Sequence, residues 1–222
     1  MEYVQIKGIE DPLFPKMHKL MQNVFPAEEV LEYELWSGPL QDPTIRMFVA
    51  VENGEVVGAT EYRFYADRRL SMTDFTMIGR EQLGVGPFLA KKRNEDLQQL
   101  CKEHGIELIG VFAEIYNPYR VGNHDFGGVK AMDPFVRREV LAHLGFKRLD
   151  FTYVHPSWTN DGEAVTELDF CFLPFGEERF LTGEFVANFL KMYYAILSEK
   201  PEAWTKMVTD LETTNKVELL PL

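Results

Sequence analysis

The chain has 222 residues, a length that suits one large domain or one domain with an appended segment. It is 45% hydrophobic and 26% charged, so it can bury a sizeable core, and this composition excludes an intrinsically disordered chain. The formal net charge of −12 argues against a protein built mainly to bind nucleic acid or anionic lipid, because both partners require a basic surface.

Cysteine content and hydropathy narrow the class further. Cys101 and Cys171 are too few for a disulfide framework and lack the spacing of metal ligands. The first residues lack the basic start and apolar run of a secretory signal. No stretch reaches the run of about 20 apolar residues that a membrane-spanning helix needs. We therefore expect a cytoplasmic globular protein with no membrane and no nucleic-acid partner.

The first third of the chain predicts one helix and a hairpin among strands. Apolar residues recur at helical spacing after Pro12, which predicts a helix over 12–35. Asn53-Gly54 lies between two apolar runs and predicts a β-hairpin. The predicted strands of this part are 2–9, 47–51, 56–65 and 70–78.

A glycine-bearing turn over 79–86 follows the last of these strands and leads into a predicted helix. That helix runs from Pro87 to His104, with proline in its first turn and Gly105 as its stop. Glycines allow the backbone to approach a phosphate closely, and a helix N-terminus offers unpaired N–H groups. The spacing differs from that of the nucleoside triphosphatase loop and of GxGxxG.

The rest of the chain predicts further alternation and a helical end. Asp133-Pro134 opens a helix that ends at Gly145, with aspartate at the N-cap. A later helix over 180–197 carries an aromatic stripe that predicts packing or a dimer face. The remaining predictions are strands over 106–115, 147–154 and 166–173 and a last helix from Pro201. The sequence thus predicts a mixed α/β (α+β) fold with a C-terminal helical addition.

Two separated motifs, in this order of elements, resemble the GNAT (GCN5-related N-acetyltransferase) superfamily over residues 1–173. Leu83-Gly84-Val85-Gly86, followed by Phe88-Leu89, is similar to the family's loop for the acyl-CoA pyrophosphate. Leu141 to Arg148 is similar to its later helix-to-strand signature. Asp133 to Ser157 resembles a bacterial subgroup without an assigned substrate.

The resemblance implies a central mixed sheet of about six or seven strands flanked by helices. It also implies acetyl-CoA or another acyl-CoA as co-substrate, with no metal. The predicted domains are a GNAT-like acyl-CoA-binding domain over 1–175 and a helical extension over 176–222 that packs on it or on a partner subunit. The predicted cofactor-binding residues are Gln82, Leu83, Gly84, Val85, Gly86 and Phe88.

Two positions depart from the family pattern. Glu81 stands where Gln or Arg is usual, and a carboxylate beside a pyrophosphate is unfavourable, so either Glu81 points away from it or the loop must be interpreted differently. Leu141 stands where many members carry the tyrosine that protonates the leaving thiolate. Loss of that acid is tolerable, because a thiol pKa of about 8.5 makes the thiolate a fair leaving group.

The implied reaction is attack of a primary amine on a thioester, and an alkylammonium with a pKa of about 10.4 must first lose a proton. Glu114 is the first candidate for the base, because it interrupts an apolar run near the end of the 106–115 strand and a buried carboxylate is costly. Asp74 is the second candidate and Glu61 the third. For Glu114 and Asp74 the alternative is a strand charge that faces water.

The segment 116–132 is a polar, glycine-rich loop too long for a simple connection, and such loops are often functional. Tyr116 or Tyr119 is the candidate proton donor in place of Leu141. The candidate substrate-binding residues are Arg120, His124 and Asp125. The alternative is a polar loop with no single essential residue.

The sequence, with this resemblance, predicts an N-acyltransferase that moves an acetyl or short acyl group to the amine of a small molecule by direct attack. One alternative is a catalytically degenerate relative that binds acyl-CoA as a sensor or scaffold. Another is an interaction protein that works through its aromatic C-terminal helices, and a homodimer is one way to cover them.

Overall fold

One mixed β-sheet organises the protein. The structure is a computed structural model that describes residues 1–25, 30–81, 83–122, 126–158 and 162–222. Within these residues the main sheet has nine strands: β1 (Glu2–Ile6), β2 (Ile45–Glu52), β3 (Glu55–Tyr65), β4 (Leu70–Ile78), β5 (Gly110–Tyr116), β6 (Lys147–Leu149), β9 (Leu168–Pro174), β10 (Phe180–Leu181) and β11 (Val217–Pro221). Their order is β1-β2-β3-β4-β5-β9-β6-β11-β10. A separate pair joins β7 (His155–Pro156) to β8 (Ala164–Val165).

Among the described residues, five α-helices cover the two faces of the sheet: α1 (Phe14–Val24), α2 (Val85–His104), α3 (Pro134–His143), α4 (Gly183–Tyr193) and α5 (Glu202–Thr213). Successive side chains of a strand point to opposite faces. Met47 packs with α1 and Phe48 with α2, so these helices lie on opposite faces. In the same way Phe112 packs with α4 and Val111 with Leu141 of α3. Strands β3 and β4 connect these two parts of the sheet, and across them α1 and α4 lie on the same face.

The predicted mixed α/β fold is confirmed, with two corrections to the elements. The helix predicted over 12–35 ends at Val24, because Phe25 precedes Pro26 and takes an extended backbone conformation, as residues before proline do. The strand predicted over 147–154 ends at Leu149, where the Phe151 amide turns back to the Leu149 carbonyl.

The sheet exceeds the predicted six or seven strands chiefly because the C-terminal segment contributes two. β11 pairs antiparallel with β6 and, on its other side, with β10. The segment 176–222 is therefore strand as well as helix. Its separation from 1–175 as a distinct extension stays a prediction.

The parallel pairing of β4 with β5 is short. It runs from Leu70 opposite Gly110 to Thr73 opposite Ala113, and in the remainder of both strands the two do not pair. The other edge of β4 pairs with β3. There Glu61 of β3 lies opposite Phe75, and the next β3 residue lies opposite Thr73, so Asp74 is the extra residue of a β-bulge in β4. A bulge bends a strand and re-aims its side chains. The next residues along both strands, Asp74 and Glu114, therefore lie where β4 and β5 part.

The aromatic stripe of α4 packs onto this sheet. Phe189 is buried and stacks on Phe112 with ring centroids 4.2 Å apart, whereas Ile196, beyond the helix end, is 75% exposed. We predict that Phe189→Ala lowers the free energy of unfolding by about 3–5 kcal/mol, the usual cost of truncating a buried aromatic. Ile196→Ala is the matched control and should change it by less than about 0.5 kcal/mol. Chemical denaturation measures both, and equal effects would contradict the packing described here.

Candidate functional site

A cavity of about 400 Å³ opens on the α1 and α4 face of the sheet, where β4 and β5 part. Its volume lies within the usual range of small-molecule sites. β3, β4 and β5 each contribute a carboxylate to its lining, from Glu61, Asp74 and Glu114. The other lining residues are Met21, Phe25, Leu31, Leu35, Trp36, Pro39, Asp42, Ile45, Arg63, Phe75, Tyr116, Arg137, His155, Trp158, Leu168, Tyr193, Ile196 and Leu197.

Glu114 is buried and hydrogen-bonded to two tyrosines. Its side chain is 10% exposed, and its Oε1 accepts hydrogen bonds from the hydroxyls of Tyr153 and Tyr194. Burial raises the pKa of Glu114 to about 7, although the two donated hydrogen bonds act in the opposite direction. A carboxyl with this pKa can both gain and lose a proton near neutral pH.

The hydroxyl oxygens of Tyr153 and Tyr194 also lie 2.8 Å apart, so the two phenols and the Glu114 carboxyl form one hydrogen-bonded cluster.

His155 faces the other carboxylate oxygen. Its Nε2 lies 3.7 Å from Glu114 Oε2, and burial lowers the pKa of His155 to about 4. The imidazole is therefore neutral at pH 7 and does not neutralise Glu114.

Asp74 is bound from both sides. Its Oδ2 accepts a hydrogen bond from Arg63 Nε at 2.9 Å, and its Oδ1 accepts one from the Tyr193 hydroxyl at 2.7 Å. The Arg63 guanidinium also lies 5.0 Å from the centre of the Tyr193 ring. Asp74 thus holds Arg63 and Tyr193 in place, and its removal would leave a buried cation unpaired.

Glu61 has fewer partners. Its side chain is 4% exposed, and its Oε1 has no hydrogen-bond partner within the described part of the chain. Arg63 Nε is the near cation, at 3.8 Å. Burial, the charge of Asp74 and a hydrogen bond with the Asp74 carboxyl all raise the pKa of Glu61 well above its ordinary range.

The predicted phosphate-binding turn lies on α2, outside this cavity. Gly84 is the N-cap of α2 with φ of 64°, a left-handed conformation that favours glycine. Val85 is buried against the sheet next to Gly58 of β3. The close packing requires glycine at that position, since a Cβ on residue 58 would lie 2.4 Å from Val85 Cγ1. Only backbone groups of this first turn can therefore serve a ligand, and Pro87 offers no N–H.

Glu81 contacts the long loop. Its Oε1 accepts a hydrogen bond from the Lys130 amide at 2.7 Å. This contact occupies the carboxylate that departs from the family pattern.

The structure brings some of the sequence candidates together and separates others. Tyr116 lines the cavity with Glu114 and Asp74. Tyr119 lies outside the cavity lining: it is 81% exposed, and its ring meets Phe135 edge-on. Arg120 also lies outside it, with Nη1 3.7 Å from the buried Asp169.

Some of the predicted residues lie outside the described part of the chain, and others pack in the core. Gln82, His124 and Asp125 lie outside the described residues. Leu83 and Phe88 pack against the cluster around Val85, and Leu141 packs against the strand residues above α3.

The structure is similar to solved structures of acetyltransferases. Over 90% of this chain and 100% of the other, the structure matches a Bacteroides thetaiotaomicron protein assigned to the acetyltransferases of the GNAT family, with a TM-score of 0.60 and 13% identity. The Escherichia coli ribosomal-protein-S18-alanine N-acetyltransferase matches over 81% and 99%, with a TM-score of 0.51 and 14% identity. Aminoglycoside 6'-acetyltransferase type Ii matches over 78% and 95%, with a TM-score of 0.50 and 14% identity.

The chain has the GNAT fold. No protein-family model matches the sequence, and no curated protein matches it either. In this GNAT fold, none of the described residues forms a group of three His, Cys, Asp or Glu that could hold a metal ion. None of the described helices is long and apolar enough to cross a membrane.

Sequence reasoning missed the tyrosines of this site. Tyr153 lies in a predicted strand, and Tyr193 and Tyr194 lie in the predicted aromatic helix, where packing explained them. The signal that was available is the hydroxyl, because a buried tyrosine hydroxyl usually finds a partner. Their partners are 39, 80 and 119 residues away, which no local pattern reports.

The raised pKa of Glu114 predicts a pH-dependent stability. Between its ordinary value of 4.5 and about 7, the folded chain holds a proton at Glu114 that the unfolded chain has lost, so the free energy of unfolding falls as pH rises. Glu114→Gln removes this titration. We predict that the variant gains stability relative to the parent across that pH range, by a few kcal/mol.

Denaturation of both proteins at a series of pH values measures this difference. Glu107→Gln, an exposed acid just before β5, is the control and should show no such trend. A constant difference between Glu114→Gln and the parent would contradict the raised pKa.

Proposed function

We propose that this protein is an acyltransferase that moves an acetyl or other short acyl group from acyl-CoA to the amine of a small molecule. The observation that carries the proposal is Glu114, a buried carboxyl that titrates near neutral pH at the point where β4 and β5 part. It faces a cavity large enough for a small ligand. The GNAT fold supports the same reaction class by analogy.

The backbone at the start of α2 fits the pyrophosphate of CoA. The N–H groups of Val85 and Gly86 lie in the first turn, where helix amides lack intrahelical acceptors, whereas the Phe88 amide already donates to the Gly84 carbonyl. That turn carries no acidic side chain, and Glu81 is engaged with the Lys130 amide. Gly86 leaves room for close approach.

Glu114 acts as the base in this proposal. When bound, acyl-CoA supplies the thioester whose carbon–sulfur bond breaks as the amine nitrogen bonds to the acyl carbon. Glu114 takes the amine proton, directly or through water. No covalent enzyme intermediate is needed.

Tyr116 is the proposed donor to the departing thiolate, since it lines the cavity and Tyr119 does not. Asp74 is a positioning residue for Arg63 and Tyr193. We retain the cytoplasm as the proposed location and a small-molecule amine as the proposed substrate.

The phosphate site is tested with a matched pair at one position. CoA should raise the melting temperature of the parent, because a ligand that binds only the folded state stabilises it. Gly86→Asp adds a negative charge beside the pyrophosphate and should abolish that shift. Gly86→Ala adds only a methyl group, whose carbon meets the flexible end of Ile78 at 3.0 Å, and should keep CoA affinity within a few-fold.

Calorimetric titration with CoA checks the same variants. A parent with neither heat nor thermal shift would overturn the acyl-CoA proposal. Binding of CoA to Gly86→Asp with parental affinity would place the phosphate site elsewhere.

The base is tested by Glu114→Gln, which keeps an acceptor oxygen for the tyrosines and loses the titrating group. Turnover at neutral pH should fall by about 10² to 10⁴, the usual contribution of a general base, with CoA affinity nearly unchanged. The loss should shrink as pH rises toward the pKa of the amine. Steady-state rates from pH 6 to about 10 measure this.

Tyr194→Phe is the companion variant. It removes one hydrogen bond to the carboxylate, so the acidic limb of the parental rate profile should move to higher pH while activity remains. Parental turnover in Glu114→Gln at neutral pH would contradict this role. CoA binding without turnover of any amine would indicate instead a sensor or scaffold, the alternative that Leu141 favours.

A further inference from the structure

The lining of the acceptor cavity is chemically divided. Its outer part is apolar or aromatic, and the apolar side chains of Leu35 and Ile196 at the cavity are 56% and 75% exposed. Trp36 and Trp158 are among the aromatic rings further in. The strand floor carries the three carboxyl groups of Glu61, Asp74 and Glu114.

Within that floor, Glu61 is the group with an unpaired oxygen, Oε1, although its carboxyl also meets that of Asp74. It lies on the central β3 strand, it is almost fully buried, and its Oε1 has no hydrogen-bond partner among the described residues. A buried, unsatisfied acceptor costs free energy, and such a group in a folded protein calls for an explanation. A ligand that donates a hydrogen bond, above all a cation, would satisfy it.

The local charges favour a cationic donor. Arg63, the nearest cation to Glu61, is already hydrogen-bonded to Asp74 and stacked on Tyr193. The remaining charged groups of the lining are Asp42 and Arg137, one of each sign. Aromatic rings such as those of Trp36 and Trp158 also attract ammonium groups.

The walls restrict what can carry the cation. Hydroxyl groups of a polyhydroxylated amine that lie against these apolar side chains would lose water there and gain no hydrogen-bond partner from them. An aryl or alkyl group instead gains by burial there. A cavity of about 400 Å³ accommodates a compact ligand of this kind.

We propose, given the function proposed above, that the acceptor is a compact primary amine on an aryl or alkyl body. Glu61, ionised when the cation is bound, binds its ammonium group and sets this specificity. Glu61 is thus a binding residue, distinct from Glu114, which takes the proton. A change at Glu61 affects recognition of the amine, and a change at Glu114 affects the rate of its acylation.

Binding of four probes to the whole protein tests the proposal. We expect 2-phenylethylamine to bind at least about tenfold more tightly than 2-phenylethanol, which is similar in shape but uncharged, a preference of about 1.4 kcal/mol. 2-Phenylethylamine should also bind more tightly than phenylalanine, which adds a carboxylate, and more tightly than an aminoglycoside, which is a polyhydroxylated polyamine. Calorimetry with and without CoA measures all four.

Glu61→Gln should remove the preference for the amine over the alcohol and raise the KM for the amine about tenfold, with kcat nearly unchanged. Glu55→Gln is the matched control at an exposed position of β3 and should keep the parental preference. A thermal unfolding curve verifies that each variant folds. The comparison of amine with alcohol on the parent tests the proposal without any variant.

Tighter binding of phenylalanine or the aminoglycoside than of the amine would overturn the proposal, as would a preference that survives in Glu61→Gln. These outcomes differ from failure of the proposed function. Selective binding of the amine without acylation would support the assigned ligand class and overturn acyl transfer. Acylation of the aminoglycoside alone would support acyl transfer and overturn the assigned ligand class.

Discussion

Parallel pairing between β4 and β5 lasts for only four residue pairs, and the site depends on where it ends. The bulge at Asp74 bends β4 there, while β5 continues in register with β9. The gap leaves room on the face shared by α1 and α4. It also places carboxylates from three neighbouring strands in a buried region, where the pKa values of Glu61 and Glu114 rise.

The C-terminal segment completes this arrangement. α4 packs its aromatic face on β5, and β11 extends the sheet beyond β6, so the segment is anchored at both ends. Tyr193 then reaches Asp74, and Tyr194 reaches Glu114. The part of the chain that lies outside the family resemblance therefore supplies one of the two hydroxyls bound to the proposed base, and Tyr153 supplies the other from within it.

The three strand acids of the cavity differ because their partners differ. Asp74 has a cation and a hydroxyl, Glu114 has two hydroxyls and a neutral imidazole, and Glu61 has an unpaired oxygen. Burial of Glu114 without a neutralising cation favours its protonated form. One type of side chain thereby supplies an anchor for Arg63 and Tyr193, a group that titrates near neutral pH and a group for a ligand cation. The overall charge of −12 gives no indication of this division.

Local signals in the sequence determined most of the elements. The Asn53-Gly54 hairpin, the strand over 70–78, the stop at Gly105 and the cap at Asp133 each depend on interactions within a few residues, and the structure has them all. Glu114 also stood out locally, as one acid in an apolar strand. Tertiary structure alone decided which groups meet Glu114 and Asp74, and that β11 joins the sheet. The reason is physical: a tyrosine in an apolar stripe has the same local pattern whether its hydroxyl faces water or a carboxylate. Only packing of segments far apart in the chain fixes that choice.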